Sequence, residues 1–230
     1  MRRALSIAAL LAIGGTAWAQ GPGGGKGAMR ISPDPSAIVA AEMAFNRLAQ
    51  DKGQWAAFRE TAAKDAIMFV PQRVVALDWL KGRKEPARAV TWQPYSIFVS
   101  CNGMLAASTG AAQWPDGSVG YFTTVWRRDA KKGWQWIMDH GDRLESPRAA
   151  PDMIAGRVAK CKRAARPVDA PPPAAAKPPK KGDAPPSPPD ESLRWTADIG
   201  TDGSRHVQVM LWTGTEYETV IDDRVAGQPS

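Results

Sequence analysis

Between residues 91 and 140 the chain reads as four runs, 91–100, 104–113, 119–128 and 134–140, separated by Asn102-Gly103, Pro115-Asp116-Gly117 and Lys131-Lys132-Gly133. Glycine at such points supplies the positive φ that tight hairpins need, and runs of this length alternating side by side are strands. Hairpins this short make their strands neighbours in one antiparallel sheet. Upstream the period changes. Asp34-Pro35-Ser36 is a helix start, and Ile38, Ala41, Phe45 and Leu48 recur at helical spacing. A second short helix carries Trp55, Phe58 and Ala62 on one face, Ile67 to Val70 is a short strand, and Asp78 to Lys81 is one helical turn. Two helices followed by a hairpin-connected sheet is an α+β arrangement with the helices on one face.

With 230 residues the chain can bury one or two small cores, which excludes a transmembrane bundle, a large doubly wound enzyme and a long solenoid. The ends are compositionally distinct. Arg2 and Arg3 precede a mainly apolar run from Ala4 to Ile13, and Ala17-Trp18-Ala19 is the small-x-small pattern of signal-peptidase cleavage. We therefore expect residues 1–19 to be a signal peptide and the protein to be periplasmic or secreted. That run is too short to span a bilayer, and no later stretch approaches the needed length, so no transmembrane segment is expected.

Residues 20–32 read as a flexible glycine-rich leader, 33–148 as the main domain and 149–166 as a basic helical segment. Residues 167–191 hold ten of the twenty prolines and read as an extended linker. Residues 192–226 alternate again, with turns at Asp202-Gly203 and Thr213-Gly214. They read as a three-stranded meander too small to hold a core alone, which must dock on the main domain or on a partner. The basic residues gather between Arg157 and Lys181 and not on a folded face, so no nucleic-acid partner is expected.

The order helix, helix, Asp65-Ala66-Ile67-Met68-Phe69-Val70-Pro71, then Gly120-Tyr121-Phe122-Thr123-Thr124-Val125-Trp126 and Gly133-Trp134-Gln135-Trp136-Ile137-Met138-Asp139-His140-Gly141, resembles the nuclear transport factor 2-like superfamily. It looks most like that superfamily's exported bacterial SnoaL-like domains. The resemblance covers about residues 35 to 145. It implies a cone, a strongly curved antiparallel sheet wrapped around N-terminal helices with a pocket at the open end, often a homodimer through the sheet. It implies no single activity, because isomerases, dehydratases, cyclases and proteins that only bind or assemble share the fold.

Strand alternation selects the candidate residues. Trp134, Trp136, Met138, His140 and Asp142 fall on one face of the last strand, and Gln135, Ile137 and Asp139 on the other. Phe122, Thr124 and Trp126 share a face of the neighbouring strand. The more apolar faces are expected to look inward, placing His140 at the mouth of a pocket lined by Trp126, Trp136, Trp134, Met138, Phe122 and Thr124. His140 is the one histidine of the main domain and the candidate acid or base, with Asp142 to orient it, or Asp139 if the faces are reversed. The acid, tyrosine and second acid of isomerases in this fold, and the paired histidines of its dehydratases, do not map onto this chain. A pocket that binds a small apolar or aromatic molecule without chemistry therefore leads. An isomerase- or dehydratase-type enzyme using His140, and a cell-envelope interaction module using tail and linker, are the alternatives.

No cofactor and no metal are expected, since no paired Cys or His spacing occurs and the glycines at 21–27 precede no strand-to-helix unit. Export would permit a disulfide between Cys101 and Cys161. The competing reading is a buried thiol, because Cys161 lies on an apolar helical stripe with Ile154, Val158 and Ala165.

Overall fold

The computed structural model describes residues 32–161 and 190–227, which belong to one compact unit. The expected signal peptide, nearly all of the leader, and residues 162–189 with most of the proline-rich linker lie outside the described residues.

Asp34 caps helix α1 (Pro35–Lys52) by accepting the Ser36 N–H at 2.9 Å, and Pro35 occupies the first turn, where a missing N–H costs nothing. Gly53, at φ 106°, separates α1 from α2 (Gln54–Thr61). Strands β1 (Ala62–Phe69) and β2 (Arg73–Val75) pair antiparallel and lead into α3 (Ala76–Leu80). The expected meander follows as β3 (Thr91–Val99), β4 (Leu105–Gln113), β5 (Val119–Asp129) and β6 (Gly133–Leu144), each antiparallel to the next.

The seven-stranded sheet has the order β2-β1-β6-β5-β4-β3-β7. It is open and mixed, not wholly antiparallel as expected: β1 runs parallel to β6, and β7 (Ala155–Val158) runs parallel to β3. Both additions arrive after long connections, which hairpins cannot make. Register shifts at Pro94/Ser96 and Val125/Trp126 put bulges into β3 and β6, and such bulges bend a sheet around its helices. The fold is α+β.

Residues 155–158 are a strand, so the helix expected over 149–166 is corrected over its described part. Ile154 and Val158 do have helical spacing. Pro147, Pro151 and Gly156 oppose a helix there, and the open edge of β3 offers a ladder from Ser96–Ala155 to Val99–Val158. Gly156 packs against the Pro35 ring, where a Cβ would fall 2.8 Å from it.

The tail forms β8 (Leu193–Ile199), β9 (Arg205–Trp212) and β10 (Tyr217–Val225), a separate antiparallel sheet with β9 central. It docks on the main domain. Leu193, Val207, Val209, Leu211 and Ile221 are buried and belong to the same core as Ile38, Phe45, Val125, Trp126 and Met138. The Ser192 hydroxyl accepts the Cys101 N–H at 2.8 Å, the Lys160 N–H donates to the Trp212 carbonyl at 2.9 Å, and Arg157 is paired with Glu218. Cys101 and Cys161 are joined by a disulfide, with Cα atoms 5.1 Å apart, which ties the segment after β7 to the β3–β4 turn.

Candidate functional site

In β5–β6 the ladder pairs Thr123 with His140, Thr124 with Asp139, Val125 with Met138, and then Trp126 with Trp136. Ile137 has no partner and is the bulged residue. Directly paired residues share a face, so one extra residue reverses the alternation of β6 at this point. Trp134 and Trp136 face the helices together with Trp126, Thr124 and Asp139, whereas Met138, His140 and Asp142 face the tail. The expectation that Trp136, Met138 and His140 share one face is corrected by this single residue.

Trp126 and Trp136 are buried to 1% and 0% exposure beneath the helices. Their rings meet Phe45 at 6.0 Å and Phe58 at 5.6 Å, and the Trp136 indole donates to the Thr61 hydroxyl at 3.1 Å. Glu42 of α1, absent from the expected stripe, is fully buried among them. Its carboxyl accepts from the indoles of Trp92 (2.9 Å) and Trp126 (3.0 Å) and from the Ser108 hydroxyl. Burial pushes its pKa up, and the three donors oppose that rise.

A cavity of about 220 Å³ opens between the helices and the sheet. Phe45, Trp55, Phe58, Met68, Phe69, Val70, Val90, Trp92, Ala112, Trp114, Tyr121 and Phe122 line it together with Gln54, Asp139, His140 and Gly141. Of the residues expected to line the pocket, only Phe122 does; Trp126, Trp134, Trp136, Met138 and Thr124 do not. The wall is built instead by aromatics of the helices and strand ends. They meet one another edge to face, Phe45 on Trp92 at 4.7 Å and Trp55 on Phe58 at 5.8 Å.

Asp139 is the one carboxyl among the lining residues. Its Oδ2 accepts from the Thr124 hydroxyl at 2.8 Å, and its Oδ1 has no hydrogen-bond partner among the described residues. The residue is half-buried and belongs to the cavity lining. Burial, with Glu42 nearby, pushes its pKa up to about 7, against the opposing Thr124 bond.

His140 is held from the other side of the sheet. Arg205 Nε donates to its Nδ1 at 3.2 Å, so its Nε2 carries the proton and donates to Asp223 Oδ2, also at 3.2 Å. Burial lowers the pKa of His140, and although Asp223 opposes this the ring stays neutral. Asp223 also accepts from the Thr123 hydroxyl at 2.6 Å and from Arg148 at 2.9 Å. Burial pushes Asp223 up, but the bonds from His140 and Thr123 and the charge of Arg148 outweigh it and hold the carboxyl below its ordinary range. Asp142, the expected partner of His140, instead accepts the N–H of Arg143 at 2.9 Å. The actual partner comes from β10, and nothing local to His140 in the sequence signals it.

Among the described residues no group of three His, Cys, Asp or Glu side chains could hold a metal ion, and no helix is long and apolar enough to cross a membrane. No protein-family model matches the chain, and no curated protein matches it. Among solved structures the chain is similar to a nuclear transport factor 2-like superfamily protein from Salmonella enterica serovar Typhimurium (13% identity, TM-score 0.38, 49% of this chain and 92% of that one). It is similar also to a ketosteroid isomerase-like protein from Erwinia carotovora atroseptica (13%, 0.37, 48% and 96%). A third is the CaMKII hub of S. rosetta (18%, 0.36, 50% and 99%). Each of these likenesses extends over about half of this chain.

Proposed function

We propose that the chain is an exported, SnoaL-like binding protein that takes a small ring-bearing molecule into the cavity between its helices and sheet. The observation that carries this reading is the aromatic-walled space of about 220 Å³ with one carboxyl oxygen left unpartnered at its wall. Pockets of this make, apolar with a few placed polar groups, are the usual small-molecule sites. For scale, a dry apolar cavity of about 150 Å³ takes up benzene, so the space suits one ring with a short arm.

The test is a titration of the mature protein with 2-phenylethanol, read by calorimetry, beside native mass spectrometry for a co-purifying molecule. Binding that weakens when Ala112→Phe fills the lined space supports the reading. No binding at millimolar concentration, with no co-purifying ligand, sinks it.

Asp139 favours a second reading, an isomerase- or dehydratase-type enzyme. A carboxyl that titrates near neutral pH and presents an unpartnered oxygen to a cavity can take and return a proton. In that reading the acid-base role belongs to Asp139, and His140 is a positioning residue between the two sheets. Loss of turnover in Asp139→Asn, with His140→Gln retaining it, would be the expected pattern in any proton-transfer assay that the wild type passes.

Export is supported by the signal-like N-terminus and by the joining of Cys101 to Cys161, since disulfides persist in oxidising compartments. A homodimer through the outer face of the sheet would need the surface that β8–β10 cover, so we read the protein as a monomer.

A further inference from the structure

Sixteen residues line the cavity; none is lysine or arginine, and Asp139 is the one acid. Three guanidinium groups stack on rings of the wall without lining the space: Arg143 at 5.0 Å on Trp114, paired with Asp116; Arg148 at 4.1 Å on Tyr121, paired with Asp223; and Arg205 at 5.4 Å on Phe69, donating to the Gly141 carbonyl. The groups that face Asp139 from the packed elements are Glu42 of α1, itself acidic, and the Thr124 hydroxyl of β5. His140, next in the chain and also in the lining, accepts from Arg205 at Nδ1 and spends its one N–H on Asp223 of the tail, so it brings no charge. An anionic ligand would thus enter a space whose lining offers it no cationic side chain and one acid. A neutral ligand would leave Asp139 Oδ1 without a partner unless it brought a donor. A cation would satisfy that oxygen with a charge-assisted hydrogen bond and also meet the electron-rich faces of the aromatic wall.

We infer that the ligand of this cavity is a ring-bearing amine whose ammonium group sits on Asp139 Oδ1 while its ring packs among Phe45, Trp55, Phe58 and Trp92. This rests on the reading of the cavity as a ligand site and adds the ligand's charge to it. Because the ammonium binds the ionised carboxylate, binding displaces a proton from Asp139, and affinity increases as the pH rises through the range where that carboxyl ionises.

The experiment titrates the mature wild-type protein with three probes of similar shape: phenethylamine, 2-phenylethanol and 3-phenylpropionate, each at pH 6, 7 and 8. The expected result is that the amine binds about tenfold or more tightly than the alcohol at pH 8 and that the propionate is weakest. The amine's affinity should rise about tenfold from pH 6 to pH 8, the change in ionised fraction for a carboxyl titrating near 7, while the alcohol's stays level. Asp139→Asn should erase the amine's preference over the alcohol. The pH profile of the wild type gives the same information should that variant fail to fold. Binding of the alcohol with no preference for the amine at any pH overturns the inference and leaves the ligand site standing. Binding of none of the three overturns both.

Discussion

Asp139 and His140 are adjacent in sequence and face opposite sides of the sheet, and their chemistry differs accordingly. Asp139 has a folded pKa of about 7 against an ordinary 3.8. The folded protein therefore holds a proton that the unfolded chain releases, and this contribution to stability is full below about pH 4, declines as the pH rises, and levels off above about pH 7. His140 and Asp223 have lowered values and act in the opposite sense, contributing stability that is lost as the pH falls. The comparison that isolates Asp139 is wild type against Asp139→Asn. We expect the stability difference between them to change by on the order of 2–4 kcal/mol between pH 4 and pH 7.5, with the variant the relatively more stable form at the higher pH, measured by urea unfolding. A parallel pair of pH profiles would contradict it. For His140, the partner is Asp223 and not Asp142. Asp223→Ala should cost about 2–4 kcal/mol, because it removes the carboxylate that pairs with Arg148 and accepts the buried His140 N–H. Asp142→Asn should stay within about 0.5 kcal/mol.

Among the elements, those with local signals were legible and those fixed by long-range pairing were not. The four meander strands came from their turns: Gly103, Gly117 and Gly133 each adopt positive φ in the structure. The start of α1 came from Asp34 and Pro35. The bulge at Ile137 was not legible, because period-2 reading assumes that the period never breaks, and nothing in Trp-Ile-Met marks the extra residue. That one residue moved His140 out of the helix-facing interior and Asp139 into it. Strand β7 is not distinguishable from a helix in the sequence, because a short apolar spacing fits both and the open edge of β3 that decides between them lies far off in the chain. An acid beside an apolar helical stripe, as Glu42 is, reads in sequence as a solvated flank. Its burial depends on two indoles and a hydroxyl arriving from β3, β4 and β5. The disulfide stood open between two readings in the sequence. An unreduced, unfolded sample should show no free thiol, and replacing both Cys101 and Cys161 with serine should cost about 2–4 kcal/mol, since the bridge spans 60 residues. Two free thiols would refute the pairing.

The described residues form a sheet packed on one side by helices and covered on the other by the chain's own tail. Val207, Val209 and Leu211 supply the apolar contact, buried Arg205 and Asp223 supply polar ties within it, and Arg157 pairs with Glu218 at the surface. The surface that would otherwise be free to pair with a second copy is thereby occupied. Light scattering after size exclusion should return the mass of a single mature chain at micromolar concentration, and a dimer in which the tail remains in place would contradict the arrangement. The cavity lies between the helices and the sheet, with His140 of its lining bonded to the tail, and its properties turn on the face that Asp139 takes. The most direct measurement is therefore the titration of the Asp139 side-chain carboxyl by carbon-13 NMR, with and without phenethylamine. The expected result is a midpoint near 7 in the free protein that moves downward when the amine is added. A midpoint in the ordinary carboxylate range, unmoved by the amine, would contradict both the placement of Asp139 in a desolvated cavity and its role as the ligand's partner.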